Sequence, residues 1–413
     1  MSLKDTWENR KLFKFQLILL WAVVLIFTSF NTSQAEDETI ESPIVLGMST
    51  ALTGPAAELG INMRLGIDVR FERENSKGGV KGRKLHLLAW DDGYEPARTT
   101  PNVRDLIEEE EVLAIIGNVG TPTAISVIPI VNAERTLFFA PYTGAGVLRK
   151  HPPDRYIINY RASYAEETSA MVNALINKAG IKPEEVAFFT QRDGYGDAGY
   201  VGGITALKKQ GLKSENLITH SRYERNTLAV ENAVADILLA DPVPRAIIMV
   251  GAYAPSARFI KLARKAGIEA LFLNVSFVGS APLARELGPN IDGVIVTQVV
   301  PYPKDKSVFI VEKYHDDMTV FAPNKQVSFG SLEGYIAADI FIKALETVEG
   351  IPNRENIIDA LENLGEFQIG TGEKLFYDKN NHQASHRVWS TLLREGTFVP
   401  FSWINIPLII QPR

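Results

Sequence analysis

The sequence predicts an α/β protein of two lobes, each with a parallel sheet. Two observations carry this. From residue 44 onward, short β-prone apolar runs alternate with longer segments of helical period, the signature of βαβ units. A Gly/Pro-rich stretch, Pro141 to Asp154, followed by an irregular crossing, Tyr156 to Ser163, divides eight such runs into two groups of four. The length of 413 residues, with 46% apolar residues, supports more than one core.

The expected strands of the first group are Ile44 to Ser49, Leu85 to Trp90, Val112 to Ile116 and Thr136 to Ala140. Those of the second are Val186 to Thr190, Ala246 to Val250, Leu271 to Val275 and Val294 to Val299. Each run is short and apolar on both faces, as a strand covered by helices on either side must be. Helices are expected near 58–75, 96–109, 122–134, 164–179, 199–210, 228–239 and 254–266, several closed by a glycine such as Gly180, Gly211 or Gly267. Beyond Val299 the pattern loosens into a charged segment to about Asp317, then an amphipathic helix from about Phe329 to Val348. A terminal hairpin, Val388 to Leu393 with Thr397 to Trp403, turns at Arg394-Glu395-Gly396.

Residues 1–35 have the three parts of a secretory signal. Arg10, Lys11 and Lys14 form the positive region, Leu17 to Phe27 the apolar run, and Ser33-Gln34-Ala35 the small-residue cleavage site. The apolar run is shorter than the roughly 20 residues a spanning helix needs, so cleavage after Ala35 and release into the periplasm are expected. With no cysteine there is no disulfide, thiolate metal site, cysteine nucleophile or lipidated cysteine. A net charge of -6 without a late basic block argues against nucleic acid as a partner.

In open parallel sheets, ligands gather at the carboxyl ends of the strands. There the first group places Ser49-Thr50-Ala51-Leu52-Thr53-Gly54-Pro55, Asn118-Val119-Gly120-Thr121-Pro122-Thr123 and Pro141-Tyr142-Thr143-Gly144-Ala145-Gly146. Thr121, Thr123, Thr143 and nearby backbone N–H groups could hold a carboxylate; the same residue types also serve as helix N-caps and turns. The second group places Arg192 to Gly196, Gly251 to Ala254 and Asn274 to Phe277 at its strand ends. Tyr195 and Tyr253 could close over a small ligand, or simply pack an interface. Hydroxyl anchors facing aromatic lids suit a cleft closed by hinge motion.

Catalytic motifs are absent: there is no Walker A sequence, no Gly-x-Ser-x-Gly elbow and no His-Glu-x-x-His pair. Gly144-Ala-Gly146 lacks the third glycine of a dinucleotide fingerprint, and His382 with His386 follows a turn sequence rather than a helix, so neither a cofactor nor a metal is expected. The carboxylate pairs Asp91-Asp92 and Glu166-Glu167 could serve acid/base work, although Asp92 beside Gly93 reads better as a turn.

At these residues the sequence resembles the leucine/isoleucine/valine-binding branch of the type I periplasmic binding proteins, receptors of ABC importers. The resemblance covers about residues 43–400. It rests on Leu52-Thr53-Gly54-Pro55, Gly78 to Lys84, Asp91-Asp92 with Pro96, Ile116-Gly117, Pro141-Tyr142-Thr143 and Tyr195-Gly196. It implies two doubly wound, Rossmann-like lobes joined by a three-crossing hinge, with 36–160 plus 300–384 as lobe 1 and 161–299 plus 385–413 as lobe 2. It further implies a non-enzymatic receptor that passes a small amino acid or related carboxylate to a permease in the inner membrane.

Residue by residue, the resemblance puts the carboxylate hydroxyl at Thr121, with Thr123 nearby, backbone contacts at Tyr142 and Gly144, and lid aromatics at Tyr195 and Tyr253. Gly144 stands where amino-acid binders have a threonine, and Thr143 adjoins it. Ser276 stands where they have the acid that accepts the ligand ammonium. Either another acid, Glu58 or Glu333, takes over, or the ligand is a carboxylate, amide or urea-like solute without an ammonium. A disulfide of some relatives is replaced by Tyr94 and Gly120. A sensory receptor, favoured if 17–27 stays as an anchor, and an exported enzyme using Asp92, Tyr195 or the hydroxyl loops are the competing readings.

Overall fold

A computed structural model describes residues 42–410; the expected signal sequence at 1–35 and its expected cleavage site lie outside the described residues. The chain opens with β1 (Ile44–Thr50), α1 (Ala57–Ser76), β2 (Leu85–Asp91), α2 (Pro96–Glu108), β3 (Ala114–Ile116), α3 (Thr121–Ala133), β4 (Leu137–Phe139) and β5 (Ile157–Ile158). These five strands form one parallel sheet in the order β2-β1-β3-β4-β5, in register from Ile44 opposite Leu85 to Phe139 opposite Ile158.

The second sheet begins after α4 (Tyr164–Asn177), whose N-terminus is closed by a Ser163/Glu166 capping box. It comprises β6 (Val186–Gln191), α5 (Gly194–Lys209), β7 (His220–Tyr223), α6 (Glu231–Leu238), β8 (Ala246–Val250), α7 (Tyr253–Lys265), β9 (Leu271–Asn274), α8 (Ser280–Leu287) and β10 (Val294–Gln298). A C-terminal hairpin, β13 (Trp389–Arg394) with β14 (Thr397–Pro400), extends it antiparallel, giving β14-β13-β10-β9-β8-β6-β7. Between these lie α9 (Phe309–Phe321), α10 (Phe329–Thr347), α11 (Asn356–Glu362) and the small pair β11 (Gly365–Phe367) with β12 (Leu375–Tyr377).

Both sheets are doubly wound. The strand order reverses between β1 and β3 in the first and between β6 and β8 in the second, and a crevice opens at each reversal. The central strands are buried on both faces, as β6 and β8 show along their whole length. Three segments run between the sheets side by side: Asn159 N–H donates to the His382 carbonyl (2.7 Å), Ser385 N–H to Tyr160 (2.8 Å), and the Tyr160 hydroxyl to the Val299 carbonyl (3.4 Å).

Several expectations need correction. Helix α5 starts five residues earlier than its glycine-rich beginning suggests, because Asp193 caps it by accepting from Tyr195 N–H. Strand β7 was not expected; its alternation of buried and half-buried residues over four positions is too brief to stand out. Helix α10 is not amphipathic in the ordinary sense, since nearly every residue from Ser331 to Leu345 is buried. Its polar members are paired: Asp339 accepts from Arg70 (2.6 Å) and Lys313 (2.8 Å), and Tyr335 donates to Asp317 (2.6 Å).

Helices α1 and α10 approach backbone to backbone through glycine. A Cβ on Gly66 would stand 1.8 Å from the Ser331 carbonyl oxygen, and one on Gly334 would stand 2.1 Å from that of Met63. Gly66→Ala must therefore push the helices apart and lose at least about 1–3 kcal/mol, the range for overpacking a core. A urea midpoint lowered at unchanged m-value is the expected result; an unchanged midpoint would refute this account of the contact.

Candidate functional site

The two strand-order reversals face each other, and the loops singled out in the sequence converge there. None of the three first-sheet loops uses its hydroxyls as caps: α1 and α3 have no side-chain cap, nor does the short turn after Ala145. Thr121 and Thr143 are fully buried, and their hydroxyl oxygens lie 2.6 Å apart, one donating to the other. Thr123 is turned away from this pair, since its hydroxyl donates to the Val119 (2.6 Å) and Gly120 (3.0 Å) carbonyls.

The loop carrying Thr143 is held against the first crossing. Tyr164 N–H donates to the Gly144 carbonyl (2.8 Å), and a Cβ at Gly144 would sit 2.7 Å from that nitrogen, so no larger residue fits. Arg149 Nη2 donates to both the Thr143 (3.2 Å) and Arg161 (3.0 Å) carbonyls, which makes these two backbones neighbours.

Aromatic rings from both sheets fill the crevice. Phe277 lies 5.6 Å from Tyr142, 5.9 Å from Tyr94 and 4.5 Å from Tyr195, while Tyr195 also meets Tyr164 at 5.3 Å between centroids. The Tyr195 hydroxyl donates to the Gly251 carbonyl (3.3 Å), and Tyr253 is buried at the start of α7. Tyr94 holds a left-handed φ of 64°, fixed by its N–H donating to Asp92 (2.8 Å), and its ring fills the space beside Gly120. Asp92 also accepts from Ser49 and Thr99, and Asp91 accepts from Leu52, Thr53, Gly93 and Arg98. This aspartate pair braces the loop.

The floor of the crevice is a charged cluster centred on Arg161, which is 1% exposed. Its guanidinium lies over the Tyr142 ring at 4.7 Å. Its Nη2 donates to Ser276 Oγ, which in turn donates to Glu167 Oε1 (2.9 Å). Glu167 also accepts from Ser276 N–H (2.7 Å) and the Thr297 hydroxyl. On the other side Glu333 from α10 stands 3.5 Å from Arg161 Nε. Burial pushes the Glu333 carboxyl up to about 7, against the lowering effect of Arg161. Burial likewise raises Glu167, with Arg161 opposing.

Ser276 is thus in the crevice, and the carboxylate absent at 276 lies directly behind it as Glu167. Of the two substitute acids expected from sequence, Glu333 reaches the floor, whereas Glu58 pairs with Arg285 at the half-exposed rim. Arg161 and the aromatics Phe277 and Tyr164 were not picked out as site residues. An arginine amid the apolar and tyrosine-rich run Ile157 to Tyr164 was the available signal for the first.

The rim is closed by polar contacts between the sheets. Glu95 accepts from Arg225 (2.8 Å) and Asn226 (2.6 Å), Arg225 also donates to Asp193 (3.1 Å), and Gln191 donates to the Tyr94 hydroxyl (3.1 Å). A groove of about 840 Å³ lies elsewhere, between α4 and α5; it is lined by Ala165, Val201 and His386 and contains none of the loop hydroxyls. Among the described residues no group of three or more His, Cys, Asp or Glu could hold a metal, and no helix is long and apolar enough to cross a membrane.

A family model described as periplasmic binding protein matches residues 43–397. The chain belongs to the type I periplasmic binding proteins, in the branched-chain amino acid receptor family. It is similar to the Leu/Ile/Val-binding protein homolog 7 of Brucella abortus (strain 2308), with 24% identity covering 87% of this chain and 92% of that one. It is also similar to the Leu/Ile/Val-binding protein of Escherichia coli (strain K12), with 23% identity over 78% and 84%. Among solved structures it is similar to a possible leucine/isoleucine/valine-binding protein from Rhodopirellula baltica SH 1, with 48% identity, 89% and 98% coverage and a TM-score of 0.86. This membership supports a solute-binding role for the periplasmic binding protein described here.

The contacts of Arg225 and Asn226 are partly exposed, so each is worth about 0.2–1 kcal/mol. Arg225→Ala, which removes the contacts to Glu95 and Asp193 together, should shift the protein toward an open form, read as a larger radius of gyration by small-angle scattering. Identical scattering from the variant and the parent would show that this latch does not hold the lobes.

Proposed function

We propose that the protein is the exported ligand-capturing component of an ABC importer, taking a small amino acid or related carboxylate into the crevice between its lobes. The single observation that carries this reading is the buried Thr121–Thr143 hydroxyl pair, which caps no helix and whose Thr143 oxygen also accepts from Ala145 N–H (3.3 Å). One hydroxyl proton is used between the two oxygens, and the other remains for an anion. The first turn of α3 adds its partial positive charge to the same place.

In this reading Thr121, Thr143, Tyr142 and Gly144 form the anion end, Tyr195 and Tyr253 the lids, and Ser276 the link from the ligand space to Glu167. Thr123 shapes the turn that presents Thr121. Lobe 1 comprises 36–160 with 300–384, lobe 2 comprises 161–299 with 385–413, and the signal at 1–35 is removed on export to the periplasm. The partner is then a permease in the inner membrane, which the closed lobes would dock. The membership in a family of binding proteins and the occupied geometry of Asp91 and Asp92 both favour capture over catalysis.

A thermal-shift screen of amino acids, short carboxylates and amides should find a stabilising ligand, because a ligand at 100 times its Kd adds about 2.7 kcal/mol. Thr121→Ala should then weaken that ligand by about 1–3 kcal/mol in calorimetry, the range for losing one partner of a buried hydrogen bond to a charged group. Tyr195→Ala should act mainly on the dissociation rate in stopped-flow. Full affinity in the Thr121 variant would remove the hydroxyl pair from the site.

A further inference from the structure

The Arg161 guanidinium is sealed from solvent, yet among the described residues its Nε and Nη1 atoms have no hydrogen-bond partner. Its other nitrogen, Nη2, is taken by Ser276. A buried, charged donor without an acceptor is strongly unfavourable, so such groups are ordinarily completed by a ligand or water. The neighbouring carboxylates balance its charge without giving these two atoms a hydrogen bond: Glu167 lies 3.8 Å from Nη2 and Glu333 3.5 Å from Nε, while the Glu167 oxygens accept from Ser276 and Thr297. The Arg161 and Thr143 backbones share Arg149 Nη2, and the Arg161 guanidinium lies on the ring of Tyr142, the residue before Thr143, so both belong to the same crevice.

We propose that Arg161 is a specificity-determining residue that receives a second acceptor group of the ligand, so that the site takes compact solutes with two acceptor ends, such as a short dicarboxylate or a carboxylate bearing a carboxamide. The inference rests on the receptor reading above and narrows its ligand class. One end lies on Thr121 and Thr143, the other on Arg161, and no ammonium group is required. This accounts for Ser276: an acid at that position would lie against Glu167 and would compete with the ligand for the same guanidinium.

Proton linkage provides an independent readout. Glu333 is faced by Arg161, Glu167 and Arg149, with Tyr142 and Tyr160 also close, and it titrates at about 7. A ligand carboxylate on Arg161 places further negative charge beside it, disfavours its ionised form and raises its pKa. Binding therefore takes up protons near neutrality, and affinity falls as pH rises through that value. A ligand ammonium would do the reverse and release protons.

The test is calorimetry of the purified protein with succinate, malonamate and L-leucine, between about pH 6 and 8, in buffers of different ionisation enthalpy. Succinate or malonamate should bind at least about tenfold more tightly than L-leucine, with proton uptake for succinate. Arg161→Lys should lose about tenfold or more for these ligands. Glu333→Gln, which keeps Arg161, should bind succinate without the pH dependence. Should Arg161→Lys fail to fold, the Glu333 variant and the ligand ranking decide. Tightest binding of L-leucine with proton release would overturn the role of Arg161 and leave the receptor reading standing. Absence of binding by all three, joined to no thermal shift in the wider screen, would overturn the receptor reading and this inference with it.

Discussion

Everything at the centre of this molecule is arranged around one buried positive charge. Arg161 leaves the first crossing segment and reaches both lobes at once, lying on the Tyr142 ring, bonding to Ser276 and facing Glu333. An isolated ion in such a place would be untenable, so the surrounding sequence has to answer it with charge, hydroxyls and a π face. Glu167 supplies the charge from α4, and Ser276 and Thr297 satisfy the oxygens that Glu167 brings. A second carboxylate at 276 would stand within hydrogen-bond distance of Glu167 and drive one of the two acids to its neutral form. A serine in that position follows from the guanidinium next to it.

The aromatic rings give the charge its reach. Phe277, Tyr94, Tyr142, Tyr164 and Tyr195 are each at most 3% exposed, and they are buried together with Arg161 and the threonine hydroxyls. In such surroundings a hydrogen bond to a charged group is stronger, and an unmade one more damaging, than in solvent. The rings depend in turn on backbone detail. Tyr94 adopts its positive φ because Asp92 accepts its N–H, and it fits only because residue 120 is glycine, where a Cβ would stand 2.1 Å from the ring.

Much of the fold was legible in the sequence because parallel strands buried on both faces are short unbroken apolar runs. β8 begins and ends as expected, and α7 lies within one residue of its expected bounds. The loops that converge were legible too, since their hydroxyls and tyrosines follow directly from strand ends. What escaped had contrary local signals. Gly194, Gly196 and Gly199 make the start of α5 look like a loop, although Gly196 and Gly199 are demanded by close contacts with the Gln191 carbonyl and Val250. Arg161 and Glu167 were hidden because charge in a sequence reads as surface, and only three-dimensional packing shows that these two are buried together. Thr123 erred in the other direction: its residue type suits a ligand, but its hydroxyl satisfies the turn it belongs to.

The hydroxyl pair and the guanidinium also divide the electrostatic work in a way neither could do alone. Thr121 and Thr143 share one proton between them, so the pair offers a single free donor. Pro122, at the second helical position of α3, has no N–H, which thins the donors that a helix N-terminus ordinarily presents. An anion held there is incompletely neutralised by dipoles. Arg161, whose Nε and Nη1 have no hydrogen-bond partner among the described residues, has its backbone tied to that of Thr143 through Arg149. Among the described residues Arg149 itself donates to carbonyls and the Gln383 side chain; burial and the neighbouring Arg161 lower its pKa to about 10, which still leaves it charged at neutral pH. Two guanidinium groups therefore stand close to the threonine hydroxyl pair. The electrostatics of the crevice are set by its hinge as much as by its loops.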